Sequence, residues 1–206
     1  MTADIDIDTN FDSASPPSEH RHVGAYVEML ISSLIGLVAS LILSIEAITL
    51  ATNPAAVLSC DISSKISCGV VAQTWQAQLF GWPNSFLGLI AEPVVITVAV
   101  AALGGVRFPR WFMLTAQAIY TLGFLFAWWL FYQSYFVIGA LCPWCLLITI
   151  TTTLVFMSMS RVNILDGNFG AGITRALTPA LSWWVDVWVS VLIIAALAAA
   201  VIFRYL

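Results

Sequence analysis

Gly139-Ala140-Leu141-Cys142-Pro143-Trp144-Cys145-Leu146-Leu147 decides how this chain is read. It is a C-x-x-C motif opening a long apolar run. On a helix, residues three apart sit about 60° apart around the axis, at roughly 100° per residue, so the two thiols can close a small disulfide at the helix mouth. Pro143 suits the first helical position, where its missing N–H costs nothing and its φ is preset. Cys142 is then the predicted N-cap and Cys145 the third helical residue. Unpaired backbone N–H groups and the positive helix end point at the Cys142 sulfur. Such a setting favours the thiolate, the form that attacks and leaves in disulfide exchange. The motif reads as redox chemistry, against a buried structural disulfide or two free core cysteines.

Composition places this motif in a membrane. Of 206 residues, 61% are hydrophobic and 9% charged, where a soluble domain carries about 25% charged residues. The length suits one bundle of helices rather than two domains. The net charge of −4 says little about partners, and no nucleic-acid partner is expected. All four cysteines fall in two close pairs, Cys60/Cys68 and Cys142/Cys145. Close pairs predict disulfides and hence an oxidising side of the membrane.

Taken in order, residues 1–22 are polar and acidic, with Asp4, Asp6, Asp8, Asp12, Glu19 and Pro16-Pro17. They predict a disordered cytoplasmic tail, and they lack the basic start, apolar run and cleavage site of a signal peptide. Residues 23–206 read as one membrane domain with spans at about 25–50, 85–103, 111–138, 143–160 and 183–203, each long enough for roughly 30 Å of hydrocarbon. Glu46 lies one turn from the end of the first span and reads as an interfacial residue ahead of the alternative, a buried functional carboxylate. The connection 51–83 carries Cys60 and Cys68, then a short interfacial helix over Gly69–Phe80, with Trp75 and Trp82 as anchors. Asn84 and Ser85 can cap the second span, and Glu92-Pro93 predicts a kink within it. Residues 161–182 read as a second polar connection.

Basic residues set the expected orientation. With a cytoplasmic N-terminus, Arg21, Arg107, Arg110, Arg161 and Arg175 fall inside, and Lys65 and Arg204 outside. This is the sense of the positive-inside rule. It also puts both cysteine pairs and the C-terminus on the outer face. Two dithiols on one face suggest a relay: a mobile loop pair exchanges with an outside thiol protein, and a fixed pair passes electrons onward. No haem, flavin or iron–sulfur ligand set is visible, so a lipid-soluble quinone is the economical acceptor.

With Cys60-Asp61, Ser67-Cys68, Val71, Pro83-Asn84-Ser85-Phe86-x-Gly88 and Cys142-x-x-Cys145 in this order, the chain resembles the vitamin K epoxide reductase family over roughly residues 25–160. The resemblance implies an all-α membrane fold, a four-helix bundle around a quinone of menaquinone or ubiquinone type, here with a fifth transmembrane helix. It implies that Cys60 faces the thiol partner, that Cys68 exchanges with Cys142, and that Cys145 lies against the quinone ring. Asn84 matches the family's amide that hydrogen-bonds a quinone oxygen. Thr149 stands where vertebrate members carry a Tyr, one turn beyond the second motif cysteine, with a shorter hydroxyl. Many bacterial members carry a thioredoxin-like domain after the fifth span. Here the sequence stops at Leu206, so a separate DsbA-like thioredoxin-fold partner is expected, in a disulfide-generating role similar to that of DsbB in the inner membrane. The competing readings are a structural zinc site of four cysteines, against which the C-x7-C spacing weighs, and a transporter with incidental disulfides, motivated by Glu46 and Glu92.

Overall fold

The computed structural model describes residues 22–205. The tail expected over 1–22 lies outside them except for His22, whose Nε2 sits 3.0 Å from Asp166. Seven α-helices are present among the described residues: α1 (Val23–Thr52), α2 (Cys68–Ala72), α3 (Ser85–Leu103), α4 (Arg110–Tyr132), α5 (Pro143–Leu165), α6 (Ala171–Ser182) and α7 (Val185–Tyr205). Five are long and apolar enough to cross a membrane: α1, α3, α4 with its continuation to Ile138, α5 and α7. The protein is an all-α, multi-pass membrane protein. A lipid environment explains the choice of element, because a helix satisfies every backbone group within its own segment.

The bundle is formed by α1 against α3 and α5, with α4 along α5. Lipid supplies no hydrophobic drive between helices, so close approach of backbones does the packing. Gly88 and Ser40 show it: a Cβ on Gly88 would overlap the Ser40 side chain. Ser44 adds a hydrogen bond across the same face, donating to Ser85 Oγ at 3.0 Å. Pro93, where a kink is expected, lies inside α3, which is continuous through it. Helix α7 lies outside this bundle against α5 and α6. Arg161 holds it by two hydrogen bonds to the Asp186 carboxylate, at 2.7 and 2.8 Å.

Two segments differ from the sequence expectation. Helix α5 continues past residue 160 to Leu165, and the supposed polar connection contains α6. The polar residues there are absorbed by side-chain pairing. Asn163 is fully buried, donating to Gln117 Oε1 and accepting from Asn168. The loop helix expected over 69–80 is broken into α2 and a single 3-10 turn, Trp75–Gln78. Thr74 interrupts it: its backbone is extended, and its hydroxyl donates to Val71 O at 2.7 Å, competing with the helical pattern.

The last turns of the third span position the motif. Gln133–Ile138 winds as a π-helix and ends at Gly139, whose φ of 74° is left-handed, a conformation glycine adopts without Cβ strain. Ser134 locks the exit by donating to Ala140 O at 2.5 Å. The chain then reaches Cys142 within three residues.

Candidate functional site

The C-x-x-C forms as its sequence implies. Cys142 is the N-cap of α5, Pro143 occupies the first turn, and the Cys145 N–H donates to Cys142 Sγ at 3.2 Å. Cys142 is buried and Cys145 half-buried, both as free thiols. The other pair is joined: Cys60 and Cys68 form a disulfide with Cα atoms 5.6 Å apart.

The loop is brought to the helix mouth by backbone bonds. Leu141 N–H donates to Lys65 O at 2.8 Å, and Ser67 N–H donates to Leu141 O at 3.0 Å. These make a one-residue parallel bridge between Ile66 and Leu141. Each segment continues directly into a cysteine, so the bridge places Cys68 Sγ 3.4 Å from Cys142 Sγ. A disulfide bond is about 2.05 Å long, so exchange between these sulfurs needs movement of little more than an ångström. Leu50, Leu58, Val71 and Ala140 pack around Cys60, Cys68 and Cys142 and exclude water from them.

Two acids, Asp61 and Glu46, hold the loop pair. Asp61 sits half-buried beside Cys60. Burial opposes its ionisation, but hydrogen bonds from the Ser67 hydroxyl and the N–H groups of Gly69, Leu58 and Cys68 prevail and hold its carboxyl below the ordinary value. The bonds from Ser67, Gly69 and Leu58 are 2.6, 3.0 and 2.9 Å long. Ser67 also caps α2 by accepting from Val70 N–H. The available signal was adjacency: Asp61 follows one loop cysteine and Ser67 precedes the other.

Glu46 corrects the interfacial reading. Its relative exposure is 8%. One carboxylate oxygen accepts from Ser59 Oγ at 2.6 Å, and the other lies 3.4 Å from Cys60 Sγ. The loop folds back over the end of α1 and covers it. Glu92 is buried where α1, α3, α4 and α5 meet, accepting from Tyr120 OH at 3.3 Å. It stands within the bundle packing.

Asn84 precedes α3, yet its side chain does not cap that helix. Its amide donates to Gln76 O at 2.6 Å and accepts from Leu79 N–H at 3.3 Å. It ties the 3-10 turn to the start of the second span. Thr149 is buried one turn below Cys145, and its hydroxyl donates to Cys145 O at 3.0 Å. Pro143, Trp144, Leu146, Leu147 and Ile150 line a hollow of about 330 Å³ on α5. Trp144 and Leu147 with Leu34, Ile35 and Val38 line another of about 320 Å³ between α5 and α1. The walls of both are almost wholly apolar.

No curated protein matches the chain. The profile of the vitamin K epoxide reductase family matches residues 27–160. That match runs from the first turns of α1 into the last turns of α5 and takes in all four cysteines with Glu46, Asp61, Ser67 and Asn84, so the chain belongs to the vitamin K epoxide reductase family of membrane thiol–disulfide oxidoreductases.

Proposed function

We propose that this protein passes electrons from a reduced, extracytoplasmic DsbA-like thioredoxin-fold protein, through Cys60/Cys68 and then Cys142/Cys145, to a lipid quinone of menaquinone or ubiquinone type. The reading rests on the 3.4 Å separation of Cys68 Sγ and Cys142 Sγ. The partner's thiolate attacks Cys60 of the loop disulfide, and Cys68 leaves as a thiolate. The partner's second thiol then resolves the mixed disulfide and releases Cys60. Cys68 attacks Cys142 of the oxidised helix pair, breaking Cys142–Cys145 and leaving the electron pair on Cys145. Cys60 attacks Cys68, restores the loop disulfide and frees Cys142.

A bound quinone would supply a two-electron, two-proton sink. Trp144, Leu146 and Leu147 would hold its apolar body. One N–H of Asn84 is committed to Gln76 O, and the other is the donor assigned to a quinone oxygen. The Thr149 hydroxyl must rotate away from Cys145 O to donate there. Residues 23–206 act as one membrane domain in the inner membrane, with the N-terminus cytoplasmic and the cysteines and C-terminus outside.

The test is quinone reduction by the purified protein, driven by a reduced thioredoxin-fold protein. Turnover that depends on all four cysteines is the expected result. Purified protein that carries stoichiometric zinc and reduces no quinone would favour the structural-metal reading instead.

A further inference from the structure

We propose that Glu46 is a catalytic carboxylate that takes the thiol proton of Cys60 when Cys60 attacks Cys68; this rests on the relay proposed above. The geometry is two-sided. Glu46 Oε2 touches Cys60 Sγ at 3.4 Å, and Oε1 accepts from Ser59 at 2.6 Å. Cys60 is 5% exposed and, apart from Glu46, packs among apolar groups, which leaves the carboxylate as the polar acceptor in contact with it. Ser59 is exposed, and its hydroxyl connects the buried carboxylate to the loop surface.

Its neighbours leave Glu46 as the acceptor. Asp61 is occupied by Ser67, Gly69 and Leu58. Cys68, Cys142 and Cys145 are the other titratable groups around it. Neither salt bridge found among the described residues involves Glu46. The Glu46 contact is with a sulfur of the Cys60–Cys68 disulfide; when the relay opens that bond, a carboxylate without a cation beside it disfavours the Cys60 thiolate and is placed to take the thiol proton.

The step balances within the site. The Cys60–Cys68 bond forms and the Cys68–Cys142 bond breaks. The electron pair goes to Cys142, and the Cys60 proton goes to Glu46, which releases it toward Ser59. In the reverse sense, when Cys60 leaves the partner's mixed disulfide, protonated Glu46 returns the proton to the departing sulfur. No external oxidant beyond the relay itself is consumed.

The experiment compares wild type, Glu46→Gln, Glu46→Asp and Cys60→Ala for turnover between pH 6 and pH 10, with a reduced thioredoxin-fold donor and a short-chain ubiquinone. Glutamine keeps the Ser59 hydrogen bond but cannot take a proton. Loss of a general base costs about 10²-fold or more, so Glu46→Gln is expected to fall by about that factor at pH 7. The gap should narrow above pH ~8.5, where a thiol ionises unaided, and Glu46→Asp should recover part of the rate at pH 7. A second readout is the pH profile of Cys60 alkylation in reduced protein carrying Cys68→Ala. Removing the like charge by Glu46→Gln should move that profile to lower pH. A pH-independent loss with an unshifted alkylation profile would make Glu46 a loop anchor only. Cys60→Ala inactive while Glu46→Gln matches wild type overturns the role of Glu46 alone. Full turnover by Cys60→Ala with the protein donor overturns the relay and this proposal with it.

Discussion

Leu141 N–H donates to Lys65 O across 2.8 Å, and this bond ties residues 76 positions apart at the place where exchange is proposed. With the return bond from Ser67 it sets the register of loop against helix mouth. A shift of one residue would turn Cys68 away from Cys142, because side chains alternate along an extended segment.

Asp61 makes that register depend on pH. Its folded carboxyl ionises below the ordinary carboxylate value, so its contribution is present above the unfolded value of about 3.9 and is lost as pH falls through the depressed folded value. Amide exchange over residues 58–70 should therefore stay protected from pH 7 to about pH 4 and rise below it. Asp61→Ala should expose the same amides at pH 7, roughly tenfold faster at Gly69 and Leu58, for loss of hydrogen bonds to a charged group. Unchanged protection in the variant would show that the apolar lid alone holds the loop.

The two dithiols should differ toward their donors. Cys60→Ala and Cys68→Ala should stop electron flow from a protein thiol. They should spare more of the flow from a small membrane-permeant dithiol, which can reach half-buried Cys145 directly. Cys142→Ser and Cys145→Ser should abolish turnover with both donors. Equal losses for loop variants with either donor would make the loop pair structural.

Asn84→Ala removes two hydrogen bonds that hold the 3-10 turn, to Gln76 and from Leu79. Neutral bonds are worth about 0.5–1.5 kcal/mol each, so both melting temperature and quinone affinity should fall. The affinity loss expected for the one proposed quinone bond is roughly two- to twelvefold, at 1.4 kcal/mol per tenfold. A lowered melting temperature with unchanged KM for quinone would confine Asn84 to the loop.

Much of this architecture was legible in the sequence. The five spans follow from long apolar runs that lipid forces into helices, and Cys142-Pro143-x-Cys145 carries its own cap and first turn. What stayed hidden depends on pairing between distant segments. Glu46 looked interfacial because nothing local says that the loop folds back over it. Asn163 and Asn168 looked like loop residues because Asn168 is held by Asn163, and Asn163 in turn by Gln117 on another helix. The split at Thr74 turned on one hydroxyl. Asn84 looked like a helix cap because its type fits one, whereas its amide reaches backward to the preceding turn.

The crossing of α1 and α3 can be probed on its own. Gly88→Ala would drive a methyl into Ser40 and should destabilise the protein by about 1–3 kcal/mol, as overpacking does. Adding Ser40→Gly should recover most of that loss. Thermal melting in detergent measures both, and a neutral Gly88→Ala would mean that the helices separate there without cost.

The relay is tested most directly by trapping its mixed disulfide. Cys60→Ser with Cys145→Ser removes both thiols that can resolve a Cys68–Cys142 bond, while the two remaining sulfurs stand 3.4 Å apart in the wild type. Peptide mapping of the oxidised double variant under non-reducing conditions should recover Cys68 and Cys142 in one cross-linked species. Finding them as unlinked free thiols after oxidation would contradict the relay and the roles given to all four cysteines.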